Sequence, residues 1–210
     1  TETRISESPE IAAFCGFHVQ IHRPRQKKYG LEHPSVASTY NNLGSVYIKK
    51  GLYDKAIVYF KKTLKIDLKT LGPKHSDVAT TYSNLGVVYS HKGHYDQAVG
   101  YYHKALLIRL KKLGSAHPGV AVVYNNLGNV YNRKGQYDKA ISYYLKSLKI
   151  KLKKLGSKHP SVATTYNNLG LPYENKGRYD KAIRYYQKSL TIQLKKTGPN
   201  HPSIAITYNN

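Results

Sequence analysis

The chain has 210 residues, with 34 Lys and Arg against 11 Asp and Glu and a formal net charge of +23. One cysteine excludes an internal disulfide framework, and no apolar run approaches the roughly 20 residues that a membrane-spanning helix needs. A charge this large speaks to solubility and anionic partners rather than to fold.

Residues 1–20 lack the basic start, apolar core and small-residue cleavage site of a signal peptide. Cys15 standing alone fits a cytoplasmic setting. With no methionine at position 1 and an end that falls inside a repeat, the chain reads as a segment of something longer. The charge is uneven: residues 1–33 hold five bases and four acids, a net of +1, and the remainder holds 29 bases and seven acids, a net of +22. Residues 1–30 form a divergent lead-in or degenerate half-repeat. Gln26–Gly30 echoes Leu68–Gly72, but Pro24 stands where the repeat has Ile66 or Ile150, and proline inside a helix removes a hydrogen bond and clashes with the preceding turn.

From residue 31 the chain repeats with a period of 42. Asn-Leu-Gly recurs at 42–44, 84–86, 126–128 and 168–170. The copies are 31–72, 73–114, 115–156 and 157–198, with 199–210 the start of a truncated fifth. A fixed period in this range marks a stack in which each unit is one supersecondary element. Each copy opens on His33, His75, His117, His159 or His201, followed in four of the five by proline, a residue suited to the first helical position. Val36, Tyr40, Leu43, Val46 and Tyr47 then recur at helical spacing up to a glycine stop at Gly51, and likewise at Gly93, Gly135 and Gly177. A second helix starts at Tyr53-Asp54, its aspartate placed to suit the helix dipole. Its stripe of Ala56, Phe60, Leu64, Leu68 and Leu71 ends at Gly72. No stretch alternates with period two, so no sheet is expected. The fourth copy puts Pro172 where the others have valine, which predicts a kink or a weakened turn with the Asn168 carbonyl losing its partner.

Tyr124, Leu127, Gly128, Tyr131, Ala140, Tyr144 and Ser147 follow the spacing aromatic-x2-Leu-Gly-x2-Tyr…Ala-x3-aromatic. This resembles the tetratricopeptide repeat. The 42-residue period, the Lys-Lys-Leu-Gly end of the second helix and the His-Pro-x-Val-Ala turn are similar to the kinesin light chain type. The resemblance covers residues 31–210. It implies an all-α solenoid, a right-handed superhelix of stacked antiparallel helix pairs, whose first helices line a concave groove that binds a peptide or partner protein. Carried onto this chain, the groove-facing positions are Asn41, Ser45 and Lys49 in the first copy and Ser83 in the second. The third copy supplies Asn125, Asn129, Asn132 and Arg133, the fourth Asn167, and Asn209 begins the fifth.

Asparagine is a mediocre helix former, so its recurrence at 41, 125, 167 and 209 calls for a reason. Its amide both donates and accepts, which suits a grip on the main chain of an extended peptide. The structural alternative is that these amides bond only to neighbouring helices or water. A second pattern is a lysine every seventh residue of the second helices: Lys55, Lys62 and Lys69, then Lys104 and Lys111, Lys139, Lys146 and Lys153, and Lys181, Lys188 and Lys195. Seven residues is nearly two turns, so each set shares one face. It reads either as a solvated face or as a surface for a polyanion, whether an acidic protein tail, an acidic lipid or a nucleic acid. Nucleic acid is the weaker candidate there, because arginine is scarce and the tyrosines sit at packing positions in the core and between repeats. The repeat histidines lie too far apart to share a zinc ion, and the loop, motif and triad signatures of enzymes are missing. The expectation is a non-enzymatic scaffold with no cofactor or metal.

Overall fold

A computed structural model describes Gly30 and residues 32–197. The lead-in before Gly30, the fifth repeat and Asn209 lie outside the described residues. Eight α-helices and no strand occur among those described. The first helices of the repeats are α1 (Pro34–Lys49), α3 (Ser76–His91), α5 (Pro118–Arg133) and α7 (Pro160–Asn175). The second helices are α2 (Tyr53–Thr70), α4 (Tyr95–Leu113), α6 (Tyr137–Leu155) and α8 (Tyr179–Thr197). The chain divides into two compact units after Pro73.

The histidines that open the repeats are helix caps. The His117 ring Nδ1 accepts from the Gly119 N–H at 3.0 Å, and His33, His75 and His159 accept in the same way from Ser35, Asp77 and Ser161. An extended backbone at the histidine aims the ring at an amide that the helix leaves unpaired, the task usually done by Ser, Asp or Asn. We expect His117→Ala to cost about 1 kcal/mol in urea unfolding and His117→Asp to recover most of it. Equal midpoints for all three proteins would contradict the cap. At the other end of α5, Gly135 adopts φ +72. That left-handed turn lets the Gln136 N–H reach back to the Tyr131 carbonyl at 2.9 Å.

In the first unit α1 packs on α2 around Val36, Tyr40, Leu43 and Ile66. In the second unit α3 pairs with α4, α5 with α6 and α7 with α8. In addition α4 packs on α5 and α6 on α7, the first helix of the next repeat in each case, while α5 touches both α3 and α7. Tyr144, Leu148, Val162 and Leu169 form a core that runs from one repeat into the next. Gly128 lets α5 and α6 meet closely: a Cβ built there lies 2.5 Å from the Tyr144 ring. Ser147 staples the pair by donating to the Ala121 carbonyl at 2.8 Å.

The helix α7 runs unbroken across Pro172, which is buried. The weakening appears at its end. The Lys176 N–H bonds to the Tyr173 carbonyl at 3.2 Å, whereas Lys50, Lys92 and Lys134 reach the valine carbonyl four residues back.

Candidate functional site

Within the second unit the first helices α3, α5 and α7 form one wall, and its middle is laced by side-chain amides. Asn168 Nδ2 of α7 donates to Asn125 Oδ1 at 3.3 Å and to Asn129 Oδ1 at 3.4 Å, both on α5. Asn129 Oδ1 also accepts from the Tyr144 hydroxyl at 2.7 Å. Burial pushes the Tyr144 phenol well up, with the Arg133 charge working the other way, so this hydroxyl remains a donor. The amide oxygens of Asn125 and Asn129 are thus taken up inside the array. Their Nδ2 groups bond to no described residue, and neither is a buried unpaired atom. Arg133 Nη1 donates to the Ser90 carbonyl at the end of α3, 3.3 Å away. Burial, and then the Arg133 charge, hold the His91 imidazole below its ordinary range.

The other expected groove residues fall variously. Asn132 is half-buried, and its Oδ1 is buried with no hydrogen-bond partner among the described residues. Asn167 is half-buried on α7. Ser83 is only 8% exposed, and its hydroxyl donates to the Ala79 carbonyl of its own helix. In the first unit Asn41 is half-buried, Lys49 is exposed, and Ser45 donates to the Asn41 carbonyl at 3.0 Å.

The lysine series lies against tyrosine rings. In the third repeat Tyr131 and Tyr143 stack at 5.3 Å with Tyr124 tilted beside them. Lys146 Nζ sits 5.2 Å from the Tyr143 ring centre and 5.8 Å from that of Tyr124, and Lys139 caps Tyr131 at 5.5 Å. Lys62, Lys104 and Lys188 repeat the first arrangement, and Lys55 and Lys181 the second. Lys69 pairs with Glu32. Lys111, Lys153 and Lys195 are exposed on the same helices. The face is therefore a layer of ammonium groups over aromatic rings. The tyrosines divide by role: Tyr102, Tyr144 and Tyr186 are core, whereas Tyr101, Tyr143 and Tyr185 stack within their own repeats.

Two sets of residues escaped the reading of the sequence. Lys134 pairs with Asp96 and Lys176 with Asp138, each lysine clasping the first turn of the second helix one repeat back. The spacing of 38 residues is visible once the period is known, and it gives these aspartates a task beyond the helix dipole. The second set lies at the junctions: Arg109 donates to the Gly119 carbonyl at 2.8 Å, and the equivalent Lys151 donates to Thr165 Oγ1 at 2.7 Å and to the Ser161 carbonyl at 3.2 Å. Lys151 is 6% exposed, and burial pulls its ammonium down to about 8.

Among the described residues no group of three His, Cys, Asp or Glu side chains is placed to hold a metal, and no helix is long and apolar enough to cross a membrane. Stacked helix hairpins with polar side chains along the wall of first helices define a repeat solenoid of the protein-binding class. The chain belongs to the tetratricopeptide repeat family: the family model matches residues 35–111, 77–153, 119–194 and 161–210. Arrays of this family generally serve as protein–protein interaction scaffolds and are typically not enzymes. Among solved structures, BtubC (BKLC) from P. vanneervenii is similar at 29% identity and a TM-score of 0.71, over 81% of this chain and 68% of that one. A kinesin light chain-type protein of Podosopora anserina with nearly identical TPR-like repeats is similar at 25% identity and a TM-score of 0.71, over 87% of this chain and 86% of that one. MamA is similar at 25% identity and a TM-score of 0.61, over 93% of this chain and all of that one. No curated protein sequence matches the chain.

Proposed function

We propose that the chain is a cytoplasmic, kinesin light chain-like adaptor whose wall of first helices in the second unit holds an extended peptide. One observation carries this reading: the two α5 amides of the ladder, Asn125 and Asn129, spend their oxygens internally and leave their nitrogens unpaired among the described residues. Asn125 Nδ2, Asn129 Nδ2 and the remaining Arg133 N–H groups make a row of donors on α5. A ligand that meets donors must bring acceptors, and the carbonyls of an extended main chain are the commonest regular supply. Because the ladder also fixes the amide rotamers, little side-chain entropy is lost on binding.

The test is an arrayed library of short peptides screened for capture. Asn125→Ala combined with Asn167→Ala is expected to weaken every captured peptide by at least about tenfold and to leave the far-UV dichroism and unfolding midpoint near wild type. Unchanged affinity in that double variant would remove the reading.

A further inference from the structure

We propose that the outer face of the second helices is a separate binding surface, for an extended acidic peptide whose carboxylates recur at every third residue. The anchor is a cavity of about 530 Å³ in the fourth repeat, a size typical of ligand pockets. Tyr166, Thr191 and Ile192 line it together with Lys158, Lys188 and Lys195. Three ammonium groups thus border one apolar-walled hollow, and no carboxylate among the described residues pairs with any of them. Lys188 Nζ lies 5.7 Å from the ring centres of both Tyr166 and Tyr185, which holds it at the rim before any ligand arrives.

The same set recurs one repeat back as Tyr124, Lys146 and Lys153, and two back as Tyr82, Lys104 and Lys111. The face continues from repeat to repeat: the His103 ring of α4 meets the Tyr143 ring of α6 at 6.5 Å. Within the second unit successive first helices touch, which sets the step from one repeat to the next at about the usual interhelical distance of 10 Å. A chain in the polyproline II conformation advances about 3.1 Å per residue with three residues per turn, so every third side chain lies on one face about 9 Å from the last. Acidic side chains at i, i+3 and i+6 therefore meet the lysines of successive repeats in register, and an intervening apolar side chain fits the hollow. The tyrosines offer no platform for unpaired bases, since Lys104, Lys146 and Lys188 already occupy their rings. A flat headgroup layer would not fill the concave pocket.

The experiment uses the full chain and fluorescence anisotropy. The probe is a labelled peptide of about 13 residues with glutamate at every third position, which places the carboxylates on one face at the polyproline II rise of about 3.1 Å per residue. Its control is an isomer of the same composition with the glutamates in one block. We expect the spaced peptide to bind at least about tenfold tighter than the isomer. Lys158→Gln, Lys188→Gln and Lys195→Gln together should abolish that preference. Lys158→Ala, which installs the residue that Ala116 supplies in the preceding repeat, should weaken binding about threefold. The Asn125→Ala and Asn167→Ala variant should bind the spaced peptide as wild type does, because this surface does not depend on the groove. Equal binding of the two isomers would overturn the proposal. So would an unaffected triple variant, or a single-stranded oligonucleotide or phosphatidylserine vesicle that outcompetes the spaced peptide.

Discussion

Gly128→Ala is expected to destabilise the array by about 2 kcal/mol, although alanine is the better helix former by about 1 kcal/mol. The added methyl would lie 2.5 Å from Tyr144 Cε1 and 2.6 Å from Cδ1. The ring cannot retreat: Tyr144 is 1% exposed, its hydroxyl is bonded to Asn129, and it packs in the core that α6 shares with α7. Either the helices part or the ring leaves its pocket, and both outcomes open the neighbouring junction. Gly100→Ala is the control. It lies within α4, is exposed, and a Cβ there meets nothing within 4 Å, so the same change should stabilise by about 0.5–1 kcal/mol. Urea unfolding of the two variants should move the midpoint in opposite directions. A shift of the same sign in both would mean that propensity, not the contact with Tyr144, governs the position.

Lys151→Met is expected to stabilise the protein at neutral pH by about 2 kcal/mol. In the folded chain burial pulls this ammonium from 10.5 down to about 8. The unfolded chain keeps its proton between those values while the folded chain releases it, so the penalty is present in full below about pH 8 and fades as the pH rises towards 10.5. A shift of that size corresponds to roughly 3 kcal/mol. Methionine has a similar length and no charge, and the Thr165 hydroxyl still donates to the Ser161 carbonyl at 2.9 Å after the change. The gain over wild type should therefore shrink between about pH 8 and 10.5. A gain independent of pH would trace the effect to packing instead of charge.

The fold was open to reading because each hairpin repeats the same local instructions. His-Pro starts, glycine stops and apolar residues at helical spacing set the limits of α5 and α6 with no knowledge of the rest of the chain. What faces a neighbouring repeat was harder. Lys151 looks like any surface lysine until α7 is laid over it, and Asp138 looks like a helix-start residue until Lys176 arrives from the next loop. The asparagines were recognisable as a series on one side of the first helices. Which half of each amide is left over depends on Tyr144 and Asn168, and that geometry belongs to the assembled wall. Tyr143, read as a core or inter-repeat residue, stacks on Tyr131 of its own hairpin and also meets the His103 ring of the preceding repeat.

Arg109, Lys151 and Gln193 occupy one equivalent place in three otherwise near-identical second helices. Two hairpins so alike could trade partners during folding, each docking where its twin belongs. Both junctions use an equivalent carbonyl, Gly119 for Arg109 and Ser161 for Lys151, and the Thr165 hydroxyl, where the preceding repeat has Val123, gives the Lys151 docking step its own key. Such individuality, costly as it is at Lys151, is a safeguard against swapped or skipped segments that uniform copies would lack.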